Sequence, residues 1–208
     1  MRRALAWLTP LLLALILGNA PEAGDPVPLL KGADPAQFDR VGLAADSLAI
    51  EGDEVRLTGK PLGYFATKAT YQDYLLTFEY KYDRPEGLKA DADFRGNSGV
   101  LLHLSGSARV WPDCVQVQLA QADPGAIFAV GASKVDAQVD TAAQQKAVKA
   151  VGEWNSVKIV SQGGTITTSL NGVEVARAEK AEPARGPIAW QSEGKPIRFR
   201  EIKIQKLP

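Results

Sequence analysis

Among the 208 residues there is one cysteine, Cys114, one histidine, His103, and no methionine beyond Met1. An intrachain disulfide needs two cysteines and a zinc site needs several Cys or His ligands, so neither can be drawn from this chain. An excess of one charge is also missing: 24 Lys+Arg stand against 24 Asp+Glu, and no basic run interrupts the interior. Without a basic footprint, nucleic acid is not expected as a partner. What remains for chemistry is carboxylates, amides, Arg, Lys, Tyr and the single His. With 45% hydrophobic and 23% charged residues the chain has the proportions of an ordinary folded protein, and one domain is expected.

Met1-Arg2-Arg3 is followed by an apolar run from Ala4 to Leu17, broken only by Thr9 and Pro10, and then by Gly18-Asn19-Ala20. A charged start, a run too short for a membrane helix and small residues at the −3 and −1 positions read as a secretory signal over residues 1–20, cleaved after Ala20. No cysteine follows the run to carry a lipid. The mature chain is therefore expected to be exported, periplasmic or extracellular, slightly acidic and without a stable membrane anchor. In an oxidising compartment the lone Cys114 reads as a buried thiol that packs as a small apolar residue.

Pro21 to Asp39 is rich in Pro, Gly, Ala and Asp without a sustained period, so residues 21–45 read as a leader and residues 46–208 as the domain. From Asp46 onward short β-branched and aromatic segments alternate with Gly, Pro, Asn and Asp clusters, an all-β rhythm. The plainest strand is Tyr74 to Tyr82. Its Tyr74, Leu76, Phe78, Tyr80 and Tyr82 share one face, while Thr77, Glu79 and Lys81 share the other. Further strands are expected at Ser98–Leu104, Cys114–Leu119, Ile127–Val130, Ser156–Ser161, Ile166–Leu170, Val173–Ala176, Ile188–Gln191 and Ile197–Gln205. Val135 to Val151 reads as a long surface loop or a short peripheral helix. Asn171-Gly172 is a two-residue hairpin signal that should pair the strands on either side. Two stacked antiparallel sheets are the natural way to bury one face of so many strands.

Several segments, in order, resemble the 3-keto-disaccharide hydrolase domain family, also described as 3-keto-glucoside lyases or hydratases. They are Asn97-Ser98-Gly99-Val100, Trp111-Pro112 with Val115 to Leu119, Gly125-Ala126-Ile127-Phe128, Gly152-Glu153-Trp154-Asn155, Leu170-Asn171-Gly172, Gly186 to Gln191 and Ile197 to Ile202. The resemblance runs from about Tyr64 to Leu207. It implies a concanavalin A-like jelly-roll sandwich, often exported, acting on sugars whose C3 hydroxyl has been oxidised to a ketone. The chain departs from the family where members commonly carry Glu and Gln116 stands here, and where an acidic residue often follows the position of Gln118 but Leu119 and Ala120 stand here. An amide donates and accepts hydrogen bonds but takes no proton.

A C3 ketone acidifies the C2 proton, so a modest base removes it, the C1 aglycone leaves by elimination, and water adds back. The protein must supply a base, an acid for the leaving oxygen and donors for the enediolate charge. Strand alternation is expected to place Glu79, Asn97, His103, Gln116 and Gln118 on the sugar-holding surface of one sheet, with His103 pointing outward. His103 is the first candidate proton carrier and Glu79 the second, as acid, base or metal ligand; against these stand a hydrogen-bonded structural histidine and a strand-face carboxylate paired with Lys81 or Arg. Trp111, beside Pro112 in a loop, is the stacking candidate, whereas Trp154 is expected to pack in the core. Arg198 and Arg200 either stabilise an enediolate or pair with carboxylates such as Glu201, and the Gln191 amide suits sugar hydroxyls. No cofactor is prescribed. A divalent ion is compatible with the chemistry, and Asp91 to Asn97 is only a weak likeness of a calcium loop. The expected ligand is a small-molecule or oligosaccharide sugar, taken by an enzyme or by a non-catalytic glycan-binding module with the same groove.

Overall fold

The computed structural model describes residues 23–30, 32 and 35–208, so the expected signal over residues 1–20 lies outside the described part. Fifteen strands are described. They are β1 (Val27–Pro28), β2 (Phe38–Val41), β3 (Leu48–Glu51), β4 (Glu54–Leu57), β5 (Gly63–Thr67), β6 (Tyr74–Tyr82), β7 (Gly99–Ser105), β8 (Asp113–Gln118), β9 (Ile127–Val130), β10 (Lys134–Val139), β11 (Asn155–Gln162), β12 (Thr165–Leu170), β13 (Val173–Glu182), β14 (Ala189–Ser192) and β15 (Ile197–Lys206). They form two antiparallel sheets. The larger has the order β10-β13-β12-β11-β6-β15-β4-β3 with β1 also on β15, and the smaller has β2-β5-β14-β7-β8-β9. The fold is the expected all-β, two-sheet sandwich.

The alternating strand β6 sits at the centre of the larger sheet, with Tyr74, Leu76 and Tyr80 fully buried and Phe78 and Tyr82 nearly so. Facing it from the smaller sheet are Phe65, Val100, Leu102, Val115, Val117 and Trp190, all without exposure. Burying each large side chain is worth about 1.5–3 kcal/mol, which makes this layer the principal source of stability. Trp190 stacks on Phe65 with ring centroids 5.2 Å apart and planes 13° from parallel. The Asn171-Gly172 turn joins β12 to β13 as expected: Asn171 has φ 49° and Gly172 φ 86°, the left-handed pair that a two-residue hairpin requires.

Two segments differ from the sequence expectation. The part of residues 21–45 that is described does not behave as a leader: β1 pairs with β15, β2 pairs with β5, and Leu30 and Phe38 are buried. Their apolar side chains are too few to show a period, but both belong to the main hydrophobic core. Within residues 135–151 the short helix is found as α1 (Thr141–Ala147), its first turn capped by Asp140 Oδ1 accepting from Ala143 N at 2.9 Å, but the part before it is the exposed edge strand β10 rather than a loop.

Candidate functional site

His103 does not point outward. Its φ is 58°, and the β7–β8 register shifts between Leu102 and Ser105, so a bulge reverses the alternation that Leu101 and Leu102 begin. The ring enters the space between the sheets and is 1% exposed. Nδ1 lies 3.0 Å from the Pro183 carbonyl, which can only accept, so Nδ1 carries the proton and Nε2 accepts from the Tyr74 hydroxyl at 3.2 Å. Burial holds the imidazole below its ordinary pKa, against smaller upward pulls from the Pro183 carbonyl and Asp73. This histidine ties the sheets together and has no access to a ligand.

Glu79 is also elsewhere than expected. It lies on the outward face of the larger sheet, where its Oε2 accepts from Arg200 Nε at 2.6 Å. Arg200 lies over the Trp154 ring, 4.1 Å from its centroid, and Lys81 approaches the same ring at 4.7 Å. Trp154 is thus half-buried beneath two cations rather than in the core. Arg198 pairs with Asp83 at 2.8 Å and Glu54 at 3.0 Å on that same sheet. These groups satisfy one another, and a whole sandwich separates them from Gln116 and Gln118.

The residues that the fold does gather lie on the outward face of the smaller sheet. Register places Leu101 opposite Gln116, Gly99 opposite Gln118, and Tyr64 opposite Gln191. Alternation carries this face on from Gly99 to Asn97 and from Gln191 to Glu193, and the backbone of Asn97 bridges to Glu193 and Gly194. Gln116 Nε2 donates to Gln118 Oε1 at 3.2 Å, and Leu119 N donates to the same oxygen at 3.2 Å. Gly99 has no side chain because one would stand 2.6 Å from Gln116 Nε2. At the edge of the face Phe128 is 37% exposed opposite Gln116.

Three neighbouring oxygens here are buried and lack a hydrogen-bond partner: Gln191 Oε1, Asn97 Oδ1 and Glu193 Oε2. Buried acceptors are almost always paired with protein or ordered water, so these three are open to donors from solvent or from a ligand. Burial raises the Glu193 carboxyl above the ordinary range, and a hydrogen bond from the Asn97 amide offsets part of that shift. Glu193 was not among the expected site residues. The pattern that would have found it is the alternation through Trp190-Gln191-Ser192-Glu193, one step past the end assigned to that strand.

The loop from Ser105 to Pro112 arches over the other half of this face. Val110 reaches Gly42, where a side chain would meet its Cγ2 at 2.9 Å, and Arg109 pairs with Asp113, which also accepts from Ala132 N at 2.9 Å. Trp111, on this loop, is 43% exposed. Beneath it Cys114 is buried, and its thiol is pushed up to about 12 by desolvation and then by Asp113, as fits a packing role.

The Asp91–Asn97 loop does not present free ligands for a cation. Asp91 Oδ1 accepts from Arg84 at 2.6 Å and Oδ2 from Val151 N at 2.9 Å. Among the described residues no group of three or more His, Cys, Asp and Glu side chains is placed to hold a metal ion.

The same fold occurs in a provisionally named glycosyl hydrolase from Parabacteroides distasonis, which is 22% identical over 88% of this chain and 100% of that one, with a TM-score of 0.65. It occurs also in a carbohydrate-binding module from Bacillus subtilis, 17% identical over 82% of this chain and 96% of that one at a TM-score of 0.58. A Bacillus licheniformis β-glucanase is 11% identical over 91% of this chain and 100% of that one at 0.54. At these identities the likeness is one of fold. No curated protein matches the sequence. The sequence profile of the 3-keto-alpha-glucoside-1,2-lyase-like domain matches residues 25–205.

Proposed function

Because the chain belongs to the 3-keto-alpha-glucoside-1,2-lyase-like domain family, we propose that it is an exported sugar-active protein that binds a 3-keto-glycoside on the outward face of the smaller sheet and cleaves it at C1. The observation that carries this reading is the row of buried, unpartnered acceptors Gln191 Oε1, Asn97 Oδ1 and Glu193 Oε2. A sugar ring presents hydroxyl donors on adjacent carbons, and its apolar faces suit the exposed rings of Phe128 and Trp111 at the border. The Glu193 carboxyl, raised above its ordinary range by burial, is the group on this face suited to exchange a proton with the sugar. Its carboxylate takes the C2 proton, the C–H electron pair forms the C1–C2 double bond, and the C1–O bond breaks. The departing oxygen then takes the proton back from Glu193, and water adds to the unsaturated sugar. The Gln191 and Gln118 amides supply the donors for charge on the C3 oxygen.

A second reading, a glycan-binding module without catalysis, is favoured by one observation: Gln116 stands where family members commonly carry Glu, and it is spent on a hydrogen bond to Gln118. Incubating the purified protein with 3-keto-glucosides and following 3-ketoglucose or aglycone release separates the two. Turnover that falls by about 100-fold or more in Glu193→Gln, and persists in Glu79→Gln, is expected. Saturable sugar binding with no turnover in the unsubstituted protein would leave the binding module.

A further inference from the structure

Beside the polar row, the outward face of the smaller sheet carries a half-enclosed cavity of about 170 Å³ between the sheet and the Ser105–Pro112 loop. Its floor is Tyr64 and Ala66 of β5, and its walls include Val41, Leu104, Pro112 and Pro187. Tyr64 stands directly opposite Gln191, and Ala66 opposite Ala189, so the cavity begins beside the polar row and reaches one alternation step further, about 7 Å along the strands. That is roughly the span of one pyranose ring and its C1 substituent.

Resting on the reading of this face as a 3-keto-glycoside site, we infer that this cavity is the aglycone subsite and that it selects an aromatic aglycone over a second sugar. Its volume is close to that of engineered apolar cavities that accept benzene, roughly 150 Å³. Two of its lining hydroxyls, those of Thr67 and Ser105, are already engaged. Thr67 Oγ1 donates to the Ala69 carbonyl at 2.8 Å and accepts from Ile188 N at 3.0 Å, and Ser105 Oγ is directed to the Asp113 carbonyl at 3.4 Å. A second hexose entering here would bury hydroxyls with few partners, which is costly, whereas a phenyl ring fills the space with apolar contact. The exposed carboxylate of Asp39 marks the mouth, where a substituent on the ring meets solvent.

The test uses Glu193→Gln, in which sugars stay intact, titrated calorimetrically with methyl and phenyl 3-keto-glucosides of both anomers and with a 3-keto-disaccharide. The phenyl compound is expected to bind at least tenfold more tightly than the methyl one, and the disaccharide no better than methyl. Adding Ala66→Leu, which fills the floor, or Ala108→Leu on the exposed loop should erase the phenyl advantage while methyl binding is kept. Equal affinity for methyl and phenyl, tighter disaccharide binding, or equal losses for all three ligands would overturn the assignment. Selective phenyl binding to the unsubstituted protein without release of phenol would instead overturn the catalytic reading and leave the subsite standing.

Discussion

The Tyr74 hydroxyl meets His103 Nε2 at 3.2 Å in the sealed space between the two sheets, joining the centre of the larger sheet to a bulge in the smaller one. The bond uses the neutral imidazole, because the other ring nitrogen donates to the Pro183 carbonyl.

That neutrality predicts a pH dependence of stability. Burial depresses the folded-state pKa of His103 below its ordinary value. Between the depressed value and about 6.5 the unfolded chain therefore binds the extra proton, and stability rises with pH across that interval. The contribution is complete above about pH 6.5 and is lost as pH falls toward the folded-state value. Thermal melts at intervals from about pH 5 to 8 should show this rise in the unsubstituted protein and a flatter profile in His103→Gln. Since His103 is the single histidine, the difference between the two profiles isolates it, and parallel profiles would refute the assignment.

Gln116→Glu should lower stability without raising turnover. With a carboxylate at 116, the Gln118 amide must turn its nitrogen toward it and gives up the 3.2 Å bond from Leu119 N, which keeps the Ser98 carbonyl at 2.9 Å. The cost is that of desolvating a carboxylate at a position only 2% exposed with few donors around it, about 1–3 kcal/mol and more for a charged group. Urea denaturation at constant slope should show that loss. A gain in turnover would mean that the proton is handled at 116 rather than at Glu193.

Gly99→Ala should weaken sugar binding more than it weakens the fold. The new methyl would stand 2.6 Å from Gln116 Nε2 and 2.9 Å from its Cδ, so the Gln116 side chain must swing away from Gln118. Overpacking of this kind costs about 1–3 kcal/mol. The expected outcome is an intact circular dichroism spectrum with a several-fold higher KM or Kd for a 3-keto-glucoside, while unchanged sugar affinity would detach the glutamine pair from the site.

The longer strands with one wet face were legible, whereas the four-residue β4 alternates too briefly to stand out. Tyr74 to Tyr82 alternates without a break, and Asn171-Gly172 announces its hairpin, because both are local consequences of backbone geometry. β5 was not seen because all five of its residues are buried, which removes the alternation, and β10 was not seen because it is an exposed edge with no apolar face to detect. The two glutamines of β8 were placed on one face with Asn97 by counting in twos, whereas Gln191 of β14 joins them only through the register of the sheet. The same counting failed at His103, where one left-handed residue inserts an extra step that no residue type announces. It also separated Glu79 from its expected neighbours, since alternation gives the face of a strand but not the sheet to which the strand belongs.

The three tryptophans among the described residues occupy three different surroundings: Trp190 stacked and fully enclosed, Trp154 beneath the cations of Arg200 and Lys81, and Trp111 open to water on the arching loop. To light, the protein is therefore already labelled. The emission of Trp190 reports the integrity of the interior, that of Trp154 the convergence of charge on the far sheet, and that of Trp111, the most water-exposed of the three, the polarity around the arching loop.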